Sequence, residues 1–304
     1  MPNKTMVFNI KKAFSLIELS IVILIIGILV TGVTQSSRLV SRIKLISLQS
    51  LTRSTDVVTV NGLSLWLETV LDNSITNSSG SFQISDNEAV SSWNDINPQV
   101  TTKINLTQSN GSFQPIYKTN GINGLPGIAF NGVNNILFTM PIVPISLADK
   151  DYTFVVVWKT NGQGNQVMIS QTDNPGSCYQ LASIYVNGGV GGFAGGCNDY
   201  MPLSIASQTN YISIVTVNNN LASNNVSIYT NSNTPLTGTT SAGSGNLSIG
   251  NGNFSLGGKY LPTGAGQYFN GIISEVMIFE RALKIDEIKI VNSYLSKKFS
   301  IKVQ

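Results

Sequence analysis

The sequence predicts a mainly β protein: a long apolar helix first, then a β-sandwich, then one short C-terminal helix. Three observations predict it. From Leu19 to Ser37 no residue is charged, which favours a helix in apolar surroundings. From about residue 60 onward, short alternating apolar runs are separated by Asn-, Gly- and Ser-rich turns, the pattern of a sandwich of short strands. Near the end, Ile285, Ile288, Val291, Leu295 and Phe299 recur at helical spacing.

The first element is KKAFSLIELSIVILIIGILVTGVT, Lys11 to Thr34. Its uncharged run spans roughly 28 Å as a helix, enough to cross the hydrocarbon core of a bilayer. The lone acid before that run, Glu18, is expensive at a membrane edge unless protonated or paired, so it reads as functional. Ala13, Phe14 and Glu18, followed by the apolar helix, resemble the processing site of type IV prepilins. That resemblance implies cleavage after Ala13 (a small residue where the family usually has Gly) by a prepilin peptidase, and methylation of the new Phe14 terminus. It also implies a role for Glu18, pairing with the Phe14 amino group of a neighbouring subunit in a lipid-free filament core. A paired ion is far cheaper to bury than an isolated one. Two other readings compete. A secretory signal would be cut after the apolar run at an A-x-A site, but that region reads TGVTQSS. A plain membrane anchor explains the length and the lysines, but not the offsets of Phe14 and Glu18.

Charge and composition narrow the function. Of 18 basic side chains, Lys4, Lys11 and Lys12 precede Phe14 with no acid beside them, so the remainder balances at 15 to 15. No basic domain surface emerges, and no nucleic-acid partner is expected. Charged residues are only 11% of the chain, which suits an extracellular β domain. There is no histidine, which removes His-based catalysis, Ser–His and Cys–His nucleophiles and histidine metal sites.

After Arg38 the helix is expected to continue into water with Leu39, Val40, Ile43 and Ile46 on one face; in pilins this half packs on the globular head. Asn61–Gly62 ends it. In DYTFVVVWKT, Tyr152, Phe154, Val156 and Trp158 share one face and Val155 and Val157 the other, so this strand is central. Tyr211–Val217, Asn225–Thr230 and Gly271–Glu280 read as further strands. WLETVLDNSIT, VSSWND, PIYKTNGINGLPGIAFNGVNNIL and the ending FNGIISEVMIFERALKIDEIKIVNSYLSKKF resemble a concanavalin A-like, laminin-G-type jelly roll. The resemblance brackets the whole region, giving a leader (1–13), a transmembrane and assembly helix (14–58) and a lectin-like head (59–304). Where that family carries acids, this chain has Asn131, Asn134 and Asn135, which bring no charge to a calcium ion. No cofactor is expected.

Cys178 and Cys197 are the only cysteines. A hairpin turning at Asn187–Gly188 would pair Val186 with Gly189 and place the two opposite each other, within disulfide range. A disulfide fits an oxidising compartment; two free buried thiols are the alternative. The fold type includes glycosidases, which need two carboxylates facing one cleft. The nearest pair, Glu275 and Glu280, is separated by an odd offset that points them to opposite faces of a strand, and Glu280 sits beside Arg281, suggesting an ordinary ion pair. The usual acid at position 277 is Met277. Trp66 and Trp158 read as core, whereas Trp93 reads equally as core or as a sugar-stacking residue. The Asn- and Gly-rich loops at 161–165, 218–225 and 241–253 could form a rim or be plain turns. The function expected is a non-enzymatic pilin-like subunit, a minor pilin or adhesin. It would reside in the bacterial inner membrane before assembly and on the cell surface afterwards. Its partners would be the peptidase, other pilins, lipid, and a glycan or extracellular protein. A pseudopilin of a secretion system and a non-assembling membrane lectin are the alternatives, with a glycosidase last.

Overall fold

A computed structural model describes residues 15–139, 150–172, 181–195, 198–240, 253–261 and 264–304. Packing divides the chain into two units, one ending at Ser50 and one running from Leu51 to Gln304.

Helix α1 (Leu16–Arg53) begins where Ser15 Oγ accepts the Ile17 N–H at 3.3 Å, an N-cap arrangement. Glu18 lies in its first turn and accepts the Ser15 N–H at 2.9 Å, where an acid complements the positive end of the helix dipole. Leu39, Val40, Ile43 and Ile46 are each more than half exposed. Among the described residues no helix is long and apolar enough to cross a membrane. The described side chains of the uncharged run end at Gly32.

The head strands are, in chain order, β1 (Leu63–Leu67), β2 (Ile75–Asn77), β3 (Val90–Trp93), β4 (Leu106–Thr107), β5 (Ile116–Ile122) and β6 (Leu125–Asn131). Then come β7 (Leu137–Phe138), β8 (Tyr152–Thr160), β9 (Gln166–Thr172), β10 (Leu181–Asn187), β11 (Val190–Gly195), β12 (Asn198–Ser204) and β13 (Asn210–Val217). The last are β14 (Val226–Thr230), β15 (Leu236–Gly238), β16 (Asn253–Leu256), β17 (Lys259–Leu261), β18 (Gly264–Gly266) and β19 (Asn270–Phe279). One sheet runs β15-β14-β13-β8-β19-β6-β5, with β1 also on β19; the other runs β12-β11-β10-β9-β16-β7-β4-β3-β2. The two enclose one core in which Phe154, Val156 and Trp158 meet Ile169, Ile184, Phe193 and Phe254. This is the predicted mainly β sandwich.

Strand β8 is central, between β13 and β19, because Val155 and Val157 on its other face are buried as well. That outer face is closed by helix α2 (Ile285–Phe299), whose Ile288, Val291, Leu295 and Phe299 are buried. The helix starts where Glu287 accepts the Lys284 N–H at 2.8 Å, half of a capping box. Glu287 also takes two hydrogen bonds from Arg281. Arg281 therefore pairs with Glu287 and not with its sequence neighbour Glu280, as expected from sequence; Glu280 is exposed and its N–H donates to the Gly62 carbonyl.

The β10–β11 hairpin also corrects an expectation. Asn187 pairs with Val190, so the turn is Gly188–Gly189, with φ of +62° and +80°. A two-residue turn with positive φ at both positions favours two glycines over Asn-Gly here. The register is two residues away from the one that set Cys178 against Cys197, so that argument for their pairing is lost. Both cysteines lie outside the described residues, as do Ala13, Phe14 and positions 241–252 of the third rim loop.

Replacing Glu287 with Ala should lower head stability by about 1 kcal/mol through loss of the cap and the arginine pair, measured by chemical denaturation. The Arg281 hydrogen bonds hold the Glu287 carboxyl below its usual range. Its contribution is therefore present above the unfolded-state value and lost as pH falls through the folded one. A difference between wild type and variant that does not shrink on acidification would contradict this.

Candidate functional site

Two places in the head concentrate polar groups. The first is the outer face of the nine-stranded sheet, which no helix covers among the described residues. Side chains alternate along a strand, so cross-strand register decides which ones meet. Here the partners form one row: Asp199, Ala194, Ser183, Ser170, Ser255, Phe138, Thr107, Ser92 and Thr76. The segment after β16 folds back along this face. Ser255 Oγ donates to the Gly258 carbonyl at 2.7 Å, and the Val167 N–H donates to the Gln267 carbonyl at 2.8 Å. It brings Tyr260 onto Phe138, with ring centroids 4.2 Å apart and planes 17° apart.

Two clefts flank this segment. One, of about 320 Å³, is lined by Phe113, Phe138, Tyr260 and Tyr268 with the amides of Gln108 and Asn110. The other, of about 150 Å³, is lined by Asn165, Ser183, Tyr185, Asp199 and Gln267. There the Tyr185 hydroxyl donates to the Asp199 carboxylate, and burial together with that bond pushes the phenol well above its usual range. Tyr185 is therefore a fixed neutral donor. Apolar walls with a few placed polar groups are the ordinary make-up of a small-ligand site.

The second place is closed. Glu68 follows β1, Glu275 lies on β19, and Tyr294 and Lys298 stand four residues apart on α2. Lys298 Nζ is 2.8 Å from Glu275 Oε2 and 3.1 Å from Glu68 Oε2, and all three side chains are fully buried. Glu275 Oε1 accepts Trp66 Nε1–H at 2.8 Å and Tyr294 Oη–H at 2.9 Å. Glu68 accepts the N–H groups of Val70 and Leu71. Burial acts to lower the Lys298 ammonium, but the surrounding acidic groups, Glu275 foremost, outweigh it and hold it well above the usual lysine range. Burial pushes Glu275 up, against Lys298.

The sequence-predicted residues fall as follows. Trp66, Trp93 and Trp158 are all core, each at most 1% exposed, so Trp93 stacks on no ligand; its Nε1–H donates to the Glu68 carbonyl at 2.7 Å. Glu275 is sealed beneath α2 while Glu280 is exposed, so the two share no cleft. Asn131 Oδ1 accepts the N–H groups of Val133, Asn134 and Asn135, which uses the loop's carbonyl to hold its own turn. Glu68 and Lys298 were missed. Lys298 lies three residues after Leu295 and seven after Val291, a core position in the helical period that marks it as buried.

Residues 142–289 match the model of the concanavalin A-like lectin/glucanases superfamily. Residues 9–34 match that of the prokaryotic N-terminal methylation motif. The chain is thus a methylation-motif helix fused to a concanavalin A-like domain. Among solved structures it is similar to Trypanosoma rangeli sialidase in complex with sialic acid, with a TM-score of 0.52, 16% identity, and 81% of this chain and 34% of that one covered. It is also similar to a GH54 α-L-arabinofuranosidase soaked with a cyclic sulfate inhibitor, with a TM-score of 0.56, 12% identity, and coverage of 78% and 63%. The chain spans about a third of the sialidase's length, and at these identities the likeness is one of fold. No curated protein matches the chain.

Replacing Lys298 with Met leaves two carboxylates buried without a counter-charge, a change expected to cost about 3–5 kcal/mol. Denaturant midpoints of the folded full chain would measure it; a loss within about 0.5 kcal/mol, the range of ordinary surface substitutions, would show that the cluster does not bind the helix to the sheet.

Proposed function

We propose that this chain is a type IV pilin-like subunit, a minor pilin or adhesin, whose head binds a glycan. In this reading a prepilin peptidase cuts between Ala13 and Phe14 and methylates Phe14. Helix α1 holds the subunit in the inner membrane until assembly, and Glu18 then pairs with the Phe14 amino group of a neighbour. The apolar residues Leu39, Val40, Ile43 and Ile46 share one face of α1, which supports a packing role for this half of the helix, since an apolar helix face gains free energy by burial.

The observation that carries the head's role is the Phe138–Tyr260 stack beside a cleft edged by the amides of Gln108 and Asn110. A sugar ring offers an apolar face to an aromatic plane and hydroxyls to amides. The head is read as a binder and not an enzyme, because the acid pair that a glycosidase would need is split between the interior and the surface.

Mass spectrometry of protein from its host should find a methylated Phe14 at the N-terminus; a chain beginning at Met1 would remove the pilin reading. Glu18→Ala should leave membrane insertion intact and reduce filament incorporation. On glycan arrays, the full chain in detergent should give binding that Tyr260→Ala weakens about tenfold, the scale of one aromatic contact. Binding to matrix proteins alone would move the head to protein recognition.

A further inference from the structure

The buried cluster has a feature that an ion pair does not need. The two oxygens of Glu275 are treated differently: Oε1 takes two hydrogen-bond donors, from Trp66 and Tyr294, and Oε2 faces Lys298. Forming an amide from an amine and a carboxyl group requires four things. The nitrogen must sit beside the carboxyl carbon, donors must hold the oxygen on which charge develops, a base must reach the nitrogen, and water must be excluded. All four are present. Lys298 Nζ is 2.8 Å from Oε2, Glu68 Oε2 is 3.1 Å from Nζ, and the three side chains have no solvent exposure. Glu68 is itself aimed by the Val70 and Leu71 N–H groups, at 2.7 and 2.8 Å.

We propose that Lys298 and Glu275 are a modification site, joining as an internal amide that covalently fastens α2 to β19. The Lys298 ammonium first passes a proton to Glu275 Oε2, giving a neutral amine and a neutral acid. The amine lone pair attacks the carboxyl carbon, and the negative charge that develops on Oε1 is held by Trp66 Nε1–H and Tyr294 Oη–H. Glu68 takes a proton from the new C–N nitrogen and delivers it to Oε2, which leaves as water while the C=O bond re-forms. One ammonium and one carboxylate become one amide and one water, Glu68 is regenerated, and no oxidant or further reactant enters. The ammonium is the resting form, held there by its carboxylate neighbours. The reaction is therefore slow and happens once, which suits maturation. Exclusion of water from the closed core favours the amide over its hydrolysis.

Trypsin digestion of the denatured full chain tests this directly. The expected product is a branched peptide joining residues 260–281 to 298–302, lighter than the two separate peptides by one water, with fragmentation that locates the link at Glu275 and Lys298. Only linear peptides, cut after Lys298 and with Glu275 unmodified, would overturn the proposal. Glu68→Gln should fold and form the branched peptide at least tenfold more slowly; an unchanged rate would remove Glu68 from the chemistry. Lys298→Arg should give no branched peptide, and the wild-type digest decides the question even where a variant does not fold.

Discussion

The head is organised around a single ammonium group placed between two carboxylates in a dry interior. Each of these charges costs several kcal/mol to remove from water, so Lys298 depends on the carboxylates beside it, Glu275 at 2.8 Å and Glu68 at 3.1 Å. Glu68 is positioned by the turn after β1, Glu275 by β19 and Lys298 by α2. A partly docked helix would leave an unpaired charge, so the C-terminal helix is committed to the sandwich in an all-or-none way. Trp66 and Tyr294 reinforce the same joint: their rings meet edge-on at 6.0 Å, and both point their polar atoms at Glu275.

Covering one sheet with α2 decides where a ligand can act. The outer face of the eight-stranded sheet is filled by Ile288, Val291, Leu295 and Phe299. Among the described residues the equivalent face of the other sheet carries no helix, and its row is mostly Ser and Thr. The backbone instead folds its own segment along it, and Gly257 makes that departure possible. Its φ is +83°, and a Cβ there would come within 2.0 Å of the Phe130 ring. The stacked Tyr260 is thus placed by the β16 exit, over Phe138 of the nine-stranded sheet.

Elements with a strong period were legible in the sequence. The two-faced apolar run of β8 marked it as central, and the spacing from Ile285 to Phe299 marked α2. What was illegible depends on partners far away in the chain. The row from Asp199 to Thr76 exists only through eight strand pairings, of which β9–β16, β16–β7 and β7–β4 join strands far apart in the chain. The β10–β11 register turned on which two of three consecutive turn residues, Asn187, Gly188 and Gly189, take positive φ, and a shift of one turn position moved the pairing by two. Trp93, flanked by Ser and Asn, read equally as core or as a sugar-stacking residue because its cover comes from residues elsewhere in the chain. Lys298 was passed over, although its place in the helical period already put it on the buried face.

Glu18 and Glu275 pose the same physical problem, a carboxylate in apolar surroundings, and the chain treats them differently. Glu275 has its cation supplied from within, 23 residues onward in sequence. Glu18 accepts the Ser15 N–H at the start of its own helix, which satisfies one lone pair, and among the described residues no cation pairs with it. The residues beside it, Leu16, Ile17 and Leu19, are each more than half exposed. In the pilin reading proposed above, a neighbouring subunit supplies both the charge and the cover, so the helix would be completed only on assembly, whereas the cluster in the head is completed by the chain's own residues.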